Sequence, residues 1–278
     1  MKKILITGAN SYIGTSFEKY IIARYSDEYI VHTVDMINGS WREKDFSSYD
    51  SVFHVAGIAH RKETSENREL YFQVNRNLAI EVANKAKADG VGQFVFLSSM
   101  SIYGMESGVI TKDTVPAPKT SYGLSKAQAE EGLRPLSDEN FKVCVIRPPM
   151  VYGKDCKGNF QTVVKLVKKL PVFPRVNNRR SMIHIDNLSR FVLLCVEQKL
   201  EGIYFPQNKD YVNTTDMARK ISLSLGKKVY FSFLLGFCVR LATPILSMAK
   251  KAFASLVYEN CEDFSFCYCD SDNIEKSI

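Results

Sequence analysis

The stretch TGANSYIG, residues 7–14, follows the apolar run Ile4, Leu5 and Ile6 and reads as a strand that ends in a glycine turn and hands over to a helix. Such a turn aims backbone N–H groups and a helix dipole at an anion, which is how the pyrophosphate of a dinucleotide is held. Gly8 permits the turn, and Gly14 lets the helix pack closely on its strand. The middle position usually carries glycine so that backbone can approach the phosphate, and here it is Ser11. The serine side chain must point away or donate its hydroxyl to that phosphate, and we expect the second. Asn10, Tyr12 and Ile13 complete this candidate cofactor loop. An ordinary strand-turn-helix without ligand would show similar letters, so further residues are needed. Asp35 supplies one. It ends the second apolar run about twenty residues beyond the last glycine, where a carboxylate accepts hydrogen bonds from the adenosine ribose and repels a 2′-phosphate. NAD is therefore expected over NADP, which His32 and Arg42 keep open; a plain turn residue is the alternative for Asp35.

The rest of the chain agrees with such a fold. Its 278 residues, 45% hydrophobic, can bury a substantial core and suit one large domain with a small satellite. Strand-length apolar runs recur at Ile4–Thr7, Ile30–Asp35, Ser51–Val55, Gln93–Ser98 and Lys142–Arg147, with helical patterns near 12–25, 69–89 and 121–134 between them. That alternation predicts an α/β fold, a Rossmann-type doubly wound parallel sheet over residues 1–150. Only about fifteen residues separate Asp35 from the next strand, barely one crossover, so an element at that sheet edge is expected to be trimmed. Residues 151–278 read as a small C-terminal substrate-binding region interleaved with the first, with helices near 160–169 and 186–198.

Composition bounds the setting. The start is too short and too soon glycine-bearing for a signal peptide, and seven scattered cysteines suit a reducing cytoplasm. Cys261, Cys267 and Cys269 lack metal-ligand spacing, so no metal is expected. The net charge of +7 suits anionic ligands or an anionic membrane, but the basic residues are spread along the chain, which argues against nucleic acid. The apolar stretch 231–249 is interrupted by Arg240 and Pro244. A buried or partner-facing helix is the expectation there, ahead of surface membrane contact, and a spanning helix is disfavoured.

The catalytic signal is SYGLSK, residues 121–126, which sets Tyr122 and Lys126 four apart on one helix face. A nearby ammonium favours the phenolate, so Lys126 is expected to lower the pKa of Tyr122. In FLSSMSIYG, residues 96–104, Ser99 ends a buried strand where it can bind the same substrate oxygen. With these motifs in this order, together with VFHVAG (52–57), VNRNLAI (74–80), RPPMVYG (147–153) and RRSMIHIDNL (179–188), the chain resembles the extended short-chain dehydrogenase/reductase family, in particular its nucleotide-sugar epimerases and reductases.

The resemblance implies that Tyr122 is the acid/base, that Lys126 holds the nicotinamide ribose, and that Ser99 hydrogen-bonds the sugar oxygen. It implies that Ala56, Gly57 and Pro149 line the cofactor, that Asp45 and Phe46 meet the adenine, and that Asn75 fixes the helix behind the site. Ser101, Asn159 and Arg180 become substrate contacts, Arg180 gripping the diphosphate with its fork of donors. His54, His60, His184 and Asp186 read as structural. The family's dehydratases carry Thr-Asp-Glu where this chain has Ser99-Met100-Ser101, so dehydration is disfavoured. An NAD-dependent 4-epimerase of a UDP-sugar for surface polysaccharide synthesis is expected. A 4-keto-sugar reductase is the alternative, because Met150 replaces a family asparagine and little C-terminal chain remains to enclose a turning sugar. A non-catalytic NAD-binding protein is the reading from another class, and the joint presence of Ser99, Tyr122 and Lys126 argues against it. The family also implies a homodimer, and a contact with a membrane or a glycosyltransferase stays open.

Overall fold

A computed structural model describes residues 1–59, 63–242 and 252–260. In chain order the first elements are β1 (Lys2–Thr7), α1 (Tyr12–Arg24), β2 (Tyr29–Val34), β3 (Ser51–His54), α2 (Arg68–Tyr71), α3 (Leu78–Ala88) and β4 (Gln93–Leu97). Next come β5 (Gly108–Ile110), α4 (Ser121–Leu133), β6 (Lys142–Ile146), β7 (Met150–Tyr152), α5 (Asn159–Lys169), β8 (Val172–Pro174) and β9 (Met182–His184). The last are α6 (Ile185–Glu197), β10 (Gly202–Tyr204), α7 (Thr214–Ser224), β11 (Tyr230–Ser232), α8 (Phe233–Ala242) and β12 (Leu256–Tyr258).

The elements fall into two compact units. The first comprises Met1–Gly104, Pro116–Pro148 and Leu188–Pro206; the second comprises Met105–Val115, Pro149–Asn187 and the chain from Gln207 onward. The first is built on a parallel six-stranded sheet of order β10-β6-β4-β3-β1-β2. β3 and β4 are buried throughout, as strands covered on both faces must be, and this is why they read as unbroken apolar runs. β2 lies at the edge, where His32 and Thr33 are exposed. Between it and β3 the chain makes only the single turn Ser40–Arg42, too little for a crossover, and among the described residues no further strand extends that edge. Trp41, Phe46 and Tyr49 from this shortened connection bury in the core instead.

The expected helix over 69–89 is two α-helices joined by a π-helical turn, Phe72–Asn77. Such turns insert a residue and re-aim the side chains beside it, here Asn75. The second unit has short parallel pairs, β7 with β9, β8 with β11 and β5 with β12, and the helices α5 and α7. Cys144, Cys156 and Cys195 are buried free thiols, while Cys238 is exposed. Cys261, Cys267, Cys269 and His60 lie outside the described residues, among which no group of side chains could hold a metal ion.

Candidate active site

The loop after β1 is shaped by glycines where a side chain would not fit. Gly8 has φ +111°, and a Cβ there would stand 2.8 Å from the Ala56 amide nitrogen. At Gly14 a Cβ would meet Ser11 Oγ at 2.6 Å and Val55 at 3.0 Å, so only glycine lets α1 lie this close to the sheet. Asn10 takes the left-handed conformation at φ +64°, which asparagine tolerates. Ser11 is the N-cap of α1: at φ −71° and ψ 144° its Oγ accepts the Gly14 N–H at 3.2 Å. The serine replacing the middle glycine therefore has a local duty that the sequence reading did not name. Its oxygen accepts from the helix, and its proton stays available for donation outward. Tyr12 and Ile13 form the first helical turn, whose N–H groups point to the loop's mouth.

From this loop a continuous line of residues within the first unit leads to the catalytic set. Ala56, buried beside Gly8, donates its N–H to the Thr7 carbonyl at 2.9 Å. At Gly57 a Cβ would stand 3.0 Å from Asn75 Oδ1 and 3.6 Å from Lys126 Nζ. Asn75, fully buried, clasps the Ile58 backbone by accepting its N–H at 2.8 Å and donating to its carbonyl at 3.1 Å, and it also donates to Ser125 Oγ at 3.1 Å. It thereby ties the end of β3 to α4. Asp35 stands exposed at the end of β2, one carboxylate oxygen accepting the Ile37 N–H at 2.8 Å. Asp45 is held by the Ser47 N–H and hydroxyl at 2.8 and 2.9 Å, which keep its carboxyl below the ordinary range. Phe46 packs its ring into the core, leaving only its backbone to meet a ligand.

Thr120 caps α4 through the Gly123 N–H, and the helix presents Tyr122 and Lys126 to the end of β4. The Ser99 side chain stands beside Tyr122 and acts to lower its pKa; Ser99 Oγ accepts the Ser101 N–H and donates to Ser101 Oγ, both at 3.1 Å. The Tyr122 ring meets Tyr71 edge-on with centroids 6.4 Å apart. Lys126 Nζ donates to the Leu97 carbonyl at 2.7 Å and sits 4.5 Å above the Phe96 ring. Its pKa is pushed down to about 7 by burial, against which the Glu130 carboxylate works. The expected lowering of the Tyr122 pKa by Lys126 is not found. Burial raises the phenol above its ordinary value, Tyr71 adds to the rise, and the opposing influence is the Ser99 side chain.

Sequence reasoning missed the group behind this set. Glu130 is buried and accepts hydrogen bonds from Ser98 Oγ and from the Arg147 guanidinium, whose Nη2 lies 2.5 Å from Oε2. Arg147 also donates to Tyr103 Oη at 2.7 Å. The spacing of Tyr122, Lys126 and Glu130, each four residues apart, was the available signal. His54 is structural, as expected: stacked beside Phe94 and Phe96, it shares a 2.7 Å hydrogen bond with Thr7 Oγ1, and burial pushes its pKa down to about 3.

In the second unit Arg180 is 8% exposed and donates from Nη1 to the Ala254 carbonyl at 3.1 Å. Among the described residues no carboxylate pairs with it, and burial alone pulls its pKa down. Arg175 and Arg179, its neighbours in the basic loop, are exposed. Asn159 is exposed at the start of α5, and Pro149 is buried beside β7. His184 Nδ1 accepts the Asp186 N–H at 3.2 Å, so these two fix the corner from β9 into α6.

Comparison with known proteins agrees with this arrangement. The chain is 31% identical over 256 residues to a UDP-glucose 4-epimerase of Vibrio cholerae, an alignment covering 82% of this chain and 77% of that protein. It is 25% identical over 210 residues, 72% of this chain and 51% of the other, to a UDP-2-acetamido-2,6-beta-L-arabino-hexul-4-ose reductase of Pseudomonas aeruginosa. The fold matches a UDP-glucuronic acid 4-epimerase of Bacillus cereus, solved with UDP-glucuronic acid and NAD, with TM-score 0.76 and 19% identity over 99% of this chain and 96% of that one. Residues 4–205 match the NAD dependent epimerase/dehydratase family. With the glycine-walled loop leading through Ala56 and Gly57 to Lys126 and Tyr122, the chain belongs to that family and is an NAD(P)-dependent enzyme of the extended short-chain dehydrogenase/reductase type.

Proposed function

We propose that this enzyme is a 4-epimerase of a UDP-sugar, of the UDP-glucose or UDP-N-acetylglucosamine type, serving surface polysaccharide synthesis. The observation that carries the reading is that Ser99, at the end of β4, meets the α4 face bearing Tyr122 and the buried Lys126, reached from a dinucleotide-type loop within one unit. The 31% identity to a UDP-glucose 4-epimerase supports this reading. Gly8, Asn10, Ser11, Tyr12, Ile13 and Gly14 would hold the dinucleotide's phosphates, Asp35 its ribose, Asp45 and the Phe46 backbone its adenine, and Ala56, Gly57, Asn75, Lys126 and Pro149 its nicotinamide half. When bound, NAD supplies a reversible hydride acceptor.

The chain's own residues handle protons and position. Ser99 orients the sugar's 4-oxygen toward Tyr122 Oη. Tyr122 takes the hydroxyl proton as the ketone forms and returns it as the new hydroxyl forms. Ser101 helps to hold Ser99, and Asn159 and Arg180 bind the nucleotide portion. A buried guanidinium without a counter-charge is unfavourable by itself and is relieved by a diphosphate, which supports Arg180 in that role.

The 25% identity to a UDP-2-acetamido-2,6-beta-L-arabino-hexul-4-ose reductase supports a second reading, a 4-keto-sugar reductase in which Tyr122 delivers its proton to the ketone oxygen. One experiment separates the two. Purified protein is given UDP-N-acetylglucosamine and catalytic NAD, and the anomeric protons are followed by NMR. A new UDP-N-acetylgalactosamine signal with no net NADH supports the epimerase; no new sugar from this substrate or from UDP-glucose, with NAD(P)H consumed on a UDP-4-keto sugar, supports the reductase. In either case Tyr122→Phe should cut turnover about 10²- to 10⁴-fold while dinucleotide binding survives.

A further inference from the structure

Helix α8 is seated with its apolar side outward. Phe233, Phe237 and Leu241 recur at four-residue spacing, so with Leu234 they share one side of the helix. They are 76%, 56%, 61% and 73% exposed, respectively. In an ordinary surface helix this stripe would face the core. Here the inward position is Gly236, the buried residue of the helix, and a Cβ there would run into the Arg175 carbonyl. The helix therefore cannot roll to bury the stripe without losing this close approach. Its entry is fixed as well: β11 pairs with β8, Arg175 donates its N–H to the Ser232 carbonyl at 2.9 Å, and Ser232 Oγ accepts the Leu235 N–H at 3.2 Å. Of the expected buried or partner-facing helix, the buried alternative is overturned for Phe233–Ala242; the rest of the stretch to residue 249 lies outside the described residues.

The surroundings of the stripe are basic. Arg240 flanks it on the same helix, and exposed Lys228 and Tyr230 precede it. The sequence between Asp216 and Glu259 carries seven lysines and arginines and no acidic residue. Exposed Phe and Leu beside cations, with an aromatic hydroxyl at the margin, are the composition of a helix that lies in a lipid headgroup region. Among the described residues no helix is long and apolar enough to cross a membrane, so this one would lie on the surface. Pairing with a second copy through the same face would set each basic margin against its own like charge.

We propose that α8, with Tyr230 and Lys228, is a docking surface for an anionic membrane leaflet. Its apolar stripe enters the headgroup boundary, and Arg240 and Lys228 meet lipid phosphates. The full-length protein is sedimented with vesicles of phosphatidylglycerol and phosphatidylcholine, and separately with phosphatidylcholine alone. Binding to the anionic vesicles, weakened by salt and absent from the neutral ones, is expected. The pair Phe237→Ser and Leu241→Ser should abolish it, and Arg240→Glu should weaken it about tenfold. Because these side chains are exposed, the circular dichroism melt and NAD binding of each variant should match the parent. Failure of the parent protein to sediment with anionic vesicles overturns the proposal. So does sedimentation of the double-serine variant at the parent level, or a concentration-dependent dimer that the double-serine variant dissolves while vesicle binding persists.

Discussion

Lys126 shows how the fold sacrifices stability at its centre. The ammonium is buried, with the Leu97 carbonyl as its hydrogen-bond acceptor, the Phe96 ring beneath it and Glu130 one helical turn away. Its folded pKa near 7 lies below the ordinary lysine value of 10.5. Below about pH 7 the folded chain must carry a charge that burial disfavours, and the full penalty applies. Between pH 7 and 10.5 the unfolded chain holds the proton more tightly than the folded one, so stability rises with pH across that window. Lys126→Met should therefore be more stable than the parent at pH 6, by about 1–2 kcal/mol, while losing turnover. Urea titrations of dinucleotide-free protein at pH 6 and 9 test this: the gain should shrink at pH 9, and a variant less stable than the parent at pH 6 would refute it. That Tyr122 and Lys126 share one face of α4 was legible from four-residue spacing. The raised Tyr122 pKa was not, because it depends on burial and on Tyr71, which is distant in sequence and brought close by the fold.

At the scale of elements, the site is a junction between one helix face and the end of one strand. Three consecutive residues leaving β4 each face α4: the Leu97 carbonyl accepts from Lys126, the Ser98 hydroxyl donates to Glu130, and Ser99 stands beside Tyr122. Arg147, just past β6, grips the Glu130 carboxylate from the neighbouring strand and so anchors the junction to the sheet. Glu130→Gln should loosen it, because Arg147 is left buried without its countercharge. A loss of about 3–5 kcal/mol is expected, read as a lower urea midpoint at unchanged slope. If the junction positions the catalytic set, the folded variant at low temperature should also lose kcat more than it gains in KM; an unchanged kcat would make the pair purely structural. The strands of this junction could be read directly, because buried parallel strands are unbroken apolar runs. β10 could not: Gly202–Tyr204 is three residues long, and only its pairing with β6 makes it part of the sheet. The Glu130–Arg147 pair escaped for a related reason: the four-residue spacing aligns Glu130 with Tyr122 and Lys126 but says nothing of Arg147, which comes from a separate element.

At the scale of the whole molecule, the chain weaves between two units. The sequence reading set one boundary near residue 150; a division does fall between Pro148 and Pro149, but Met105–Val115, expected in the first domain, belongs to the second unit. The return of Leu188–Pro206 to the first unit was not legible, because the apolar pattern of α6 states only that one face is buried. The groups argued to meet the two ligands are likewise divided: Asp35 lies in the first unit and Arg180 in the second. A ligand that binds only the folded state stabilises it by RT ln(1 + [L]/Kd), about 2.7 kcal/mol at a hundredfold excess over Kd, so melting reports each interaction without turnover. Arg180→Met removes a buried charge that lacks a carboxylate partner among the described residues, and should raise the basal melting temperature. It should abolish the rise caused by UDP and keep the rise caused by NAD. Asp35→Ala should do the reverse, weakening the NAD-dependent rise and sparing that of UDP. A full UDP response in Arg180→Met would remove Arg180 from the diphosphate, whereas loss of both responses in either variant would show that the two ligands depend on one another for binding.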